Sequence, residues 1–198
     1  MNKCLVLFVE GDTEVEFYKK VIQYIRQVDM EGRLDIHVEF KNVKGVGGFK
    51  KFALRKFIKE IVPNYKDEEF YIALCRDTDV FELALKPPVN WEEVEAAFRK
   101  QQVKDVLHIE ARRSIEDWFL YDIEGIKTFL RLKKSTKVQG STGYEKMKNL
   151  FKCANKMYFK GKRSNGLIEH LDISKIIQKT RTELLPLFEV FEKCNEEK

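Results

Sequence analysis

The chain has 198 residues, of which 43% are hydrophobic and 35% are charged, and its net charge is +5. The 15 phenylalanines favour one packed core and exclude an intrinsically disordered chain. No apolar run approaches the roughly 20 residues that cross a bilayer. The N-terminal residues lack a signal-peptide cleavage site, and the four cysteines form no CxxC pair. We therefore predict a cytoplasmic protein with free thiols.

The first predicted element is a strand. The apolar run at residues 5–9 does not alternate with polar residues, which indicates a strand buried on both faces. Thr13 and Glu16 have the spacing of a helix capping box, and apolar residues at helical spacing follow from Phe17. Glu10 is therefore expected at the carboxyl end of a buried strand, immediately before a helix. Open α/β sheets bind their ligands at that position.

Strand and helix patterns then alternate as far as residue 120. Further strands are predicted at residues 34–40, 70–75 and 105–109, and further helices at residues 49–61 and 91–101. This alternation predicts an α/β fold with a mostly parallel four-stranded sheet flanked by helices. The later helices are predicted at residues 123–132, 143–153 and 174–193. We thus predict an α/β domain at residues 1–122 and a helical basic extension at residues 123–198 packed on it.

Acidic side chains follow three of the predicted strands. The first strand is followed by Glu10, the third by Asp77 and Asp79, and the fourth by Glu116. Because the carboxyl ends of parallel strands share one edge of the sheet, we expect these carboxylates to converge. Carboxylate oxygens are preferred ligands of Mg²⁺ and Mn²⁺, and their mutual repulsion would be costly without a cation. The sequence therefore predicts a site for one or two such ions, a common device for cleaving phosphodiesters.

Basic residues concentrate in the predicted extension. Between Lys127 and Arg163, twelve basic residues stand against one acidic residue, Glu145, a net charge of +11. Such a segment beside an acidic body is typical of proteins that bind polyanions, although a solvated lysine-rich surface would show the same composition. The residues expected to contact DNA or RNA are Lys50, Lys51, Arg55, Arg112, Arg113, Lys133, Lys134, Lys160, Lys162 and Arg163.

The acidic motifs together resemble those of the TOPRIM domain. EGxTE follows the first strand, DxD the third and SxE the fourth, over about residues 3–120. The chain is similar to the nuclease half of the OLD family and to small stand-alone TOPRIM-like proteins of bacterial defence loci, including the RloB-like group. The resemblance implies a metal-dependent nuclease in a phage-defence context. It also implies a separate ATPase or another defence-system subunit as a partner, and it is compatible with a homo-oligomer.

The resemblance assigns roles by position. Glu10 matches the motif glutamate, a metal ligand or an acid/base group, and Glu14 matches the acidic residue four positions later. The metal ligands of the DxD motif fall on Asp77 and Asp79, and the SxE element ends at Glu116.

A catalytic lysine is also implied by the resemblance. OLD-type sites use a lysine from the region after the sheet. Lys160 in the segment YFKGK is the candidate, with Lys162 second.

Other readings of the same residues stay open. Asp77 and Asp79 could be ordinary loop acids, and Ser114 could cap a helix that begins near Ile115. A non-catalytic TOPRIM-like sensor or subunit would bind nucleic acid or a nucleotide with the same surface. A phosphatase similar to the haloacid dehalogenases would use Asp77 as nucleophile and Asp79 as acid/base. In that family the DxD motif follows the first strand of the core, and the EGxTE motif would be left without a role.

Overall fold

A four-stranded, all-parallel sheet forms the centre of the molecule, in the order β2-β1-β3-β4. A computed structural model describes residues 2–28, 36–79, 89–162 and 166–196. Its strands are β1 (Lys3–Val9), β2 (Ile36–Asn42), β3 (Glu69–Asp77) and β4 (Asp105–Ala111). The register places Val9 opposite Asn42 and Asp77 opposite Ala111, so all four strands end at one edge. The predicted α/β fold is confirmed.

Helices cover both faces of this sheet. They are α1 (Asp12–Val28), α2 (residues 49–61), α3 (Trp91–Arg99), α4 (Ile115–Phe119), α5 (Ile123–Leu130), α6 (Gly143–Cys153), α7 (Ile173–Lys179) and α8 (Arg181–Glu196). The helix α2 consists of π-helical turns at Phe49–Ala53 and Phe57–Ile61 around an α-helical turn at Leu54–Lys56. Turns of 3₁₀ helix lie at Val62–Asn64, Leu120–Asp122 and Ile168–His170.

Two apolar clusters pack on the two faces of the sheet. Leu5 and Leu7 of β1 pack with α1 and the C-terminal helices, while Val6 and Phe8 pack with α2 and α3. Because successive side chains of a strand point to opposite faces, a strand covered on both sides needs apolar residues at every position. This explains the uninterrupted apolar run of β1.

The segment after residue 122 completes the first of these clusters. Met147 and Phe151 of α6, and Phe188 of α8, are buried in the same core as Phe17 of α1. The ring of Phe17 also lies 6.0 Å from that of Trp118 in α4. The C-terminal helices therefore share one core with the sheet, and their position relative to the strand ends is set by apolar packing.

Several element boundaries differ from the sequence prediction. The predicted loop residue Asp77 is the last residue of β3, because it continues the ladder with β4. The single helix predicted at residues 174–193 is two helices, because the backbone leaves the helical conformation at Thr180, which has φ of −115° and ψ of 20° at the end of α7. The helix α1 begins at Asp12, so Thr13 is not the N-cap that its spacing predicted. Residues 34 and 35 of the second predicted strand lie outside the described residues.

Within the described ranges, every helix is too short or too polar to cross a membrane. The cysteines in those ranges are free thiols, as predicted, and Cys4 and Cys75 are buried.

Candidate active site

The ends of β1, β3 and β4 meet at one group of acidic side chains. The backbone N–H of Asp77 donates to Oε1 of Glu10 at 3.0 Å. Oδ1 of Asp77 accepts the backbone N–H of Ile115, the first residue of α4, at 2.8 Å. Asp77 is therefore bonded through its backbone on one side and through its carboxylate on the other, and it is only 3% exposed. We call this group, which consists of Glu10, Glu14, Asp77, Asp79 and Glu116, the carboxylate edge.

A lysine from the C-terminal segment reaches the carboxylate edge. Nζ of Lys160 lies 2.8 Å from Oδ2 of Asp77 and 3.4 Å from Oδ2 of Asp79. The lysine side chain is 34% exposed, so one side of the ammonium group faces solvent. The lysine predicted from the YFKGK segment is thus the one that contacts both aspartates. It lies 83 residues after Asp77 and 81 residues after Asp79.

The turn at residues 159–162, here called the lysine turn, holds Lys160 in place. The N–H of Lys162 donates to the carbonyl of Phe159 at 3.4 Å, and Gly161 has φ of +73°. A positive φ at the third residue is typical of a type II turn and favours glycine there. Gly161 accepts the N–H of Asp12 at 2.9 Å.

The lysine turn packs directly on the segment that follows β1. The hydroxyl of Thr13 donates to the carbonyl of Lys162. A Cβ atom on Gly11 would lie 2.5 Å from Cα of Gly161, so the close approach of the two backbones requires glycine at position 11. Gly161 is favoured by its positive φ and not by this contact. In the EGxTE motif, Glu10 therefore supplies an acidic group and Gly11 allows close packing of the lysine turn.

Two glutamates are also buried at the carboxylate edge. Glu14 of α1 is 5% exposed and Glu116 of α4 is 1% exposed. The hydroxyl of Tyr158 donates to Oε1 of Glu116 at 2.9 Å, while Oε2 of each glutamate is buried without a hydrogen-bond partner. A cavity of about 10 Å³ beside Glu14 and Asp77 has room for about one water-sized species.

Burial makes these carboxyl groups weak acids. Removal from water raises the pKa of Glu14 to about 8 and that of Asp77 to about 7, and it also raises the pKa of Glu10. The ammonium of Lys160 opposes the shift at Asp77, and neighbouring carboxylates add to it. Burial alone would lower the pKa of Lys160, but Asp77 and Glu116 raise it above its usual range, so the lysine stays charged.

The chemistry of the carboxylate edge fits a hard divalent cation. Buried oxygens without hydrogen-bond partners belong to Glu14, Asp79 and Glu116, and carboxylate oxygens are what Mg²⁺ and Mn²⁺ prefer. Within the described residues, however, no three such side chains are arranged in a metal-binding geometry. The ammonium of Lys160 supplies positive charge between Asp77 and Asp79 instead.

The loops after β3 and β4 are joined to each other at the same edge. The N–H groups of Thr78 and Asp79 donate to the carbonyl of Arg113, at 3.0 and 2.8 Å. The side chains of Arg112 and Arg113 are exposed there. Ser114 precedes α4, but its hydroxyl donates to the carboxylate of Asp117 at 3.0 Å and makes no capping bond to the helix backbone.

The other basic residues predicted to bind nucleic acid lie on separate elements. Lys50, Lys51 and Arg55 are exposed on α2, and Lys50 pairs with Glu93 at 3.4 Å. Of the predicted residues, Lys133 and Lys134 are exposed after α5, and Lys162 is exposed on the lysine turn. Arg163 lies outside the described residues. Among the described lysines, only Lys160 is seen to pair with the carboxylate edge.

Two features of this site are not predicted by the sequence. One is Tyr158, whose bond to Glu116 spans 42 positions of the chain. The other is the contact of Gly11 with Gly161; its only local sign is a glycine beside each functional residue, Glu10 and Lys160.

Comparisons of the chain with family models, curated proteins and solved structures gave no match. Function therefore has to be inferred from the carboxylate edge and its surroundings.

Proposed function

We propose that the protein is a metal-dependent nuclease of TOPRIM type, which hydrolyses phosphodiester bonds in DNA or RNA. The observation that carries the proposal is the meeting of acidic groups from the ends of β1, β3 and β4 with one lysine, Lys160. Anionic oxygens and a cationic side chain at one sheet edge suit a phosphate that must be held and attacked.

The acidic residues and Lys160 would have different roles in hydrolysis. Glu10, Asp77, Asp79 and Glu116 would hold one or two Mg²⁺ or Mn²⁺ ions. When bound, such ions activate water and stabilise negative charge on oxygen. The ammonium of Lys160, which is partly exposed, would offset the charge that develops on the phosphate.

A proton must also reach the departing oxygen. In hydrolysis a water oxygen bonds to phosphorus, the ester bond to the departing oxygen breaks, and that oxygen takes up a proton. Glu10 is half-buried and burial raises its pKa, so it is suited to pass a proton to the departing oxygen, while the proton lost by the attacking water goes to solvent. Glu14 is more deeply buried than Glu10, and its ionisation would change the net charge of the site.

Nucleic acid as the substrate is supported by the exposed cations around the site. Arg112 and Arg113 follow β4 at the same edge, and Lys162 lies on the lysine turn. Contacts of this kind hold a phosphate backbone without reading its sequence. The defence context and a separate ATPase or other subunit follow from the resemblance to the OLD and RloB-like proteins alone, and they are part of the proposal.

One observation favours a second function, that of a non-catalytic sensor or subunit. Lys160 already neutralises part of the charge of Asp77 and Asp79, so the edge has a counter-charge of its own. The phosphatase alternative has less support. The DxD motif follows the third strand, β3, instead of the first, and the motif that contains Glu10 would have no role in such an enzyme.

The test is incubation of purified protein with plasmid, single-stranded DNA and total RNA, in Mg²⁺, Mn²⁺ or EDTA. The proposal predicts cleavage that needs metal and is lost in Glu10→Ala, while the exposed α8 control Glu192→Ala cleaves like wild type. Salt-sensitive binding without cleavage would contradict the nuclease and favour the sensor. Release of phosphate from a small phosphoester, lost in Asp77→Ala with nucleic acid intact, would favour the phosphatase.

A further inference from the structure

The lysine turn exposes an aromatic ring beside the carboxylate edge. Phe159 is 49% exposed and Met157 is 75% exposed, whereas Tyr158 between them is buried. Phe159 directly precedes Lys160, whose ammonium touches Asp77. An exposed aromatic ring thus lies one residue from the lysine of the proposed site.

The exposure of Phe159 is not a consequence of a loose segment. On one side Tyr158 is held by its bond to Glu116. On the other, the turn is held by the bonds of Gly161 and Lys162 to the start of α1. Both neighbours of the ring are therefore fixed, and the ring is presented to solvent on a rigid support.

Charge around the ring favours a polyanion over a protein partner. Nζ of Lys162 lies 4.8 Å from the centre of the Phe159 ring, and Lys156 and Lys160 are in the same segment. The described part of the segment, residues 155–162, contains no acidic residue. Lysines are depleted in the cores of protein–protein interfaces, whereas aromatic rings among lysines are typical of surfaces that bind single-stranded nucleic acid.

We propose that Phe159 stacks on an unpaired base next to the phosphate held at the carboxylate edge, so that the substrate is single-stranded DNA or RNA, or a single-stranded region of a longer nucleic acid. The inference rests on the proposed function and names its substrate class. In a duplex each base is already stacked on its neighbours, so the ring discriminates against paired substrates.

The test measures binding in EDTA, where metal-dependent cleavage is absent. The probes are a fluorescent single strand of about 12 nucleotides, the same strand in a blunt duplex, and the same strand with abasic sites. The variants are Phe159→Ala and the conservative Phe159→Tyr. The control is Tyr121→Ala, which removes a similarly exposed ring, 44% exposed, from the turn after α4.

We expect wild type to bind the single strand more tightly than the duplex, and Phe159→Ala to weaken single-strand binding by about 5- to 150-fold. Phe159→Tyr and Tyr121→Ala should bind like wild type. On the abasic strand Phe159→Ala should have no further effect, because the base it stacks on is missing. An unchanged melting temperature in Phe159→Ala would confirm that the loss is not one of folding.

Equal binding of single strand and duplex, or an unchanged affinity in Phe159→Ala, would overturn the stacking proposal. Metal-dependent cleavage that needs Glu10 would still support the nuclease in that case. Absence of binding to every probe, together with absence of cleavage, would overturn both.

Discussion

At the scale of single residues, burial of like charges is the main feature of the site. Asp77 and Glu14 are each no more than 5% exposed, and the ammonium of Lys160 pairs with Asp77. Groups of this kind remain protonated at a pH where they would ionise in water. The folded protein therefore binds protons that the unfolded chain releases.

This difference predicts how stability depends on pH. In the unfolded chain Glu14 ionises near its ordinary pKa of 4.5, but in the folded protein its pKa is about 8. Between these values the folded state holds more protons, so the free energy of unfolding falls as pH rises. Each unit of pKa difference corresponds to about 1.4 kcal/mol in the free energy of unfolding. In a chain of this size, each kcal/mol changes the melting temperature by about 2–4 °C.

We expect the melting temperature of metal-free protein to fall by several degrees from about pH 5 to about pH 8, because over most of this range the folded protein keeps the protons of Glu14 and Asp77 and the unfolded chain has released them. Glu14→Gln cannot ionise and should flatten the curve, while Glu192→Gln on the surface of α8 should leave it as in wild type. Melting scans at several pH values measure this. A Glu14→Gln curve as steep as that of wild type would contradict the buried, protonated glutamate.

At the scale of elements, the lysine turn joins the C-terminal segment to the end of β1. Tyr158 and Lys160 both depend on this contact for their positions, because neither lies in a helix or strand. The contact requires glycine at position 11, while the turn itself favours glycine at position 161 because φ is positive there. Displacing the turn should therefore remove the lysine from the aspartates without altering any acidic residue.

Gly11→Ala tests this dependence. Its Cβ would lie 2.5 Å from Cα of Gly161 and 2.8 Å from Oε2 of Glu14, and overpacking of this kind costs about 1–3 kcal/mol. We expect a lower melting temperature and a loss of cleavage larger than the loss of stability explains. Gly47→Ala is the control, because a Cβ there has open space. Cleavage by Gly11→Ala at the wild-type rate would show that the lysine turn does not need this contact.

At the scale of the whole molecule, basic and acidic groups are segregated. The residues of the carboxylate edge all lie before residue 120 of the chain. The net charge of +11 lies later in the chain, between Lys127 and Arg163. Packing of α6 and α8 into the core with α1 fixes that later part relative to the sheet. A polyanion can then contact cations while one of its phosphates approaches the acidic edge.

This arrangement predicts binding that depends strongly on salt. Each phosphate contact should contribute about −0.7 to the slope of log K against log salt for single strands. Arg112→Ala with Arg113→Ala should reduce the magnitude of the slope by about one to two, whereas Lys179→Ala with Lys193→Ala, on the surfaces of α7 and α8, should leave it unchanged. Titration at several salt concentrations gives the slope. Affinity that does not vary with salt would exclude a phosphate backbone as the ligand.

The sheet and the position of the carboxylate edge could be predicted from the sequence because both depend on patterns among neighbouring residues. The apolar run of β1 and the acidic residues after β1, β3 and β4 indicated both the sheet and the edge where Glu10 and Asp77 meet. Contacts between distant residues have no such local pattern. The bond of Tyr158 to Glu116, the packing of Gly11 on Gly161 and the core shared by α1 and α8 could not be read from spacing.

The central claim is that the carboxylate edge cleaves a phosphodiester with the help of a divalent cation. The most direct measurement is a Mn²⁺ titration of the cleavage rate on a single strand, for EDTA-treated wild type and for Asp77→Asn with Asp79→Asn. We predict a wild-type rate that rises with Mn²⁺ and saturates, and a double variant that stays at background at every concentration. Cleavage by wild type in EDTA, or a double variant that matches wild type, would contradict the claim.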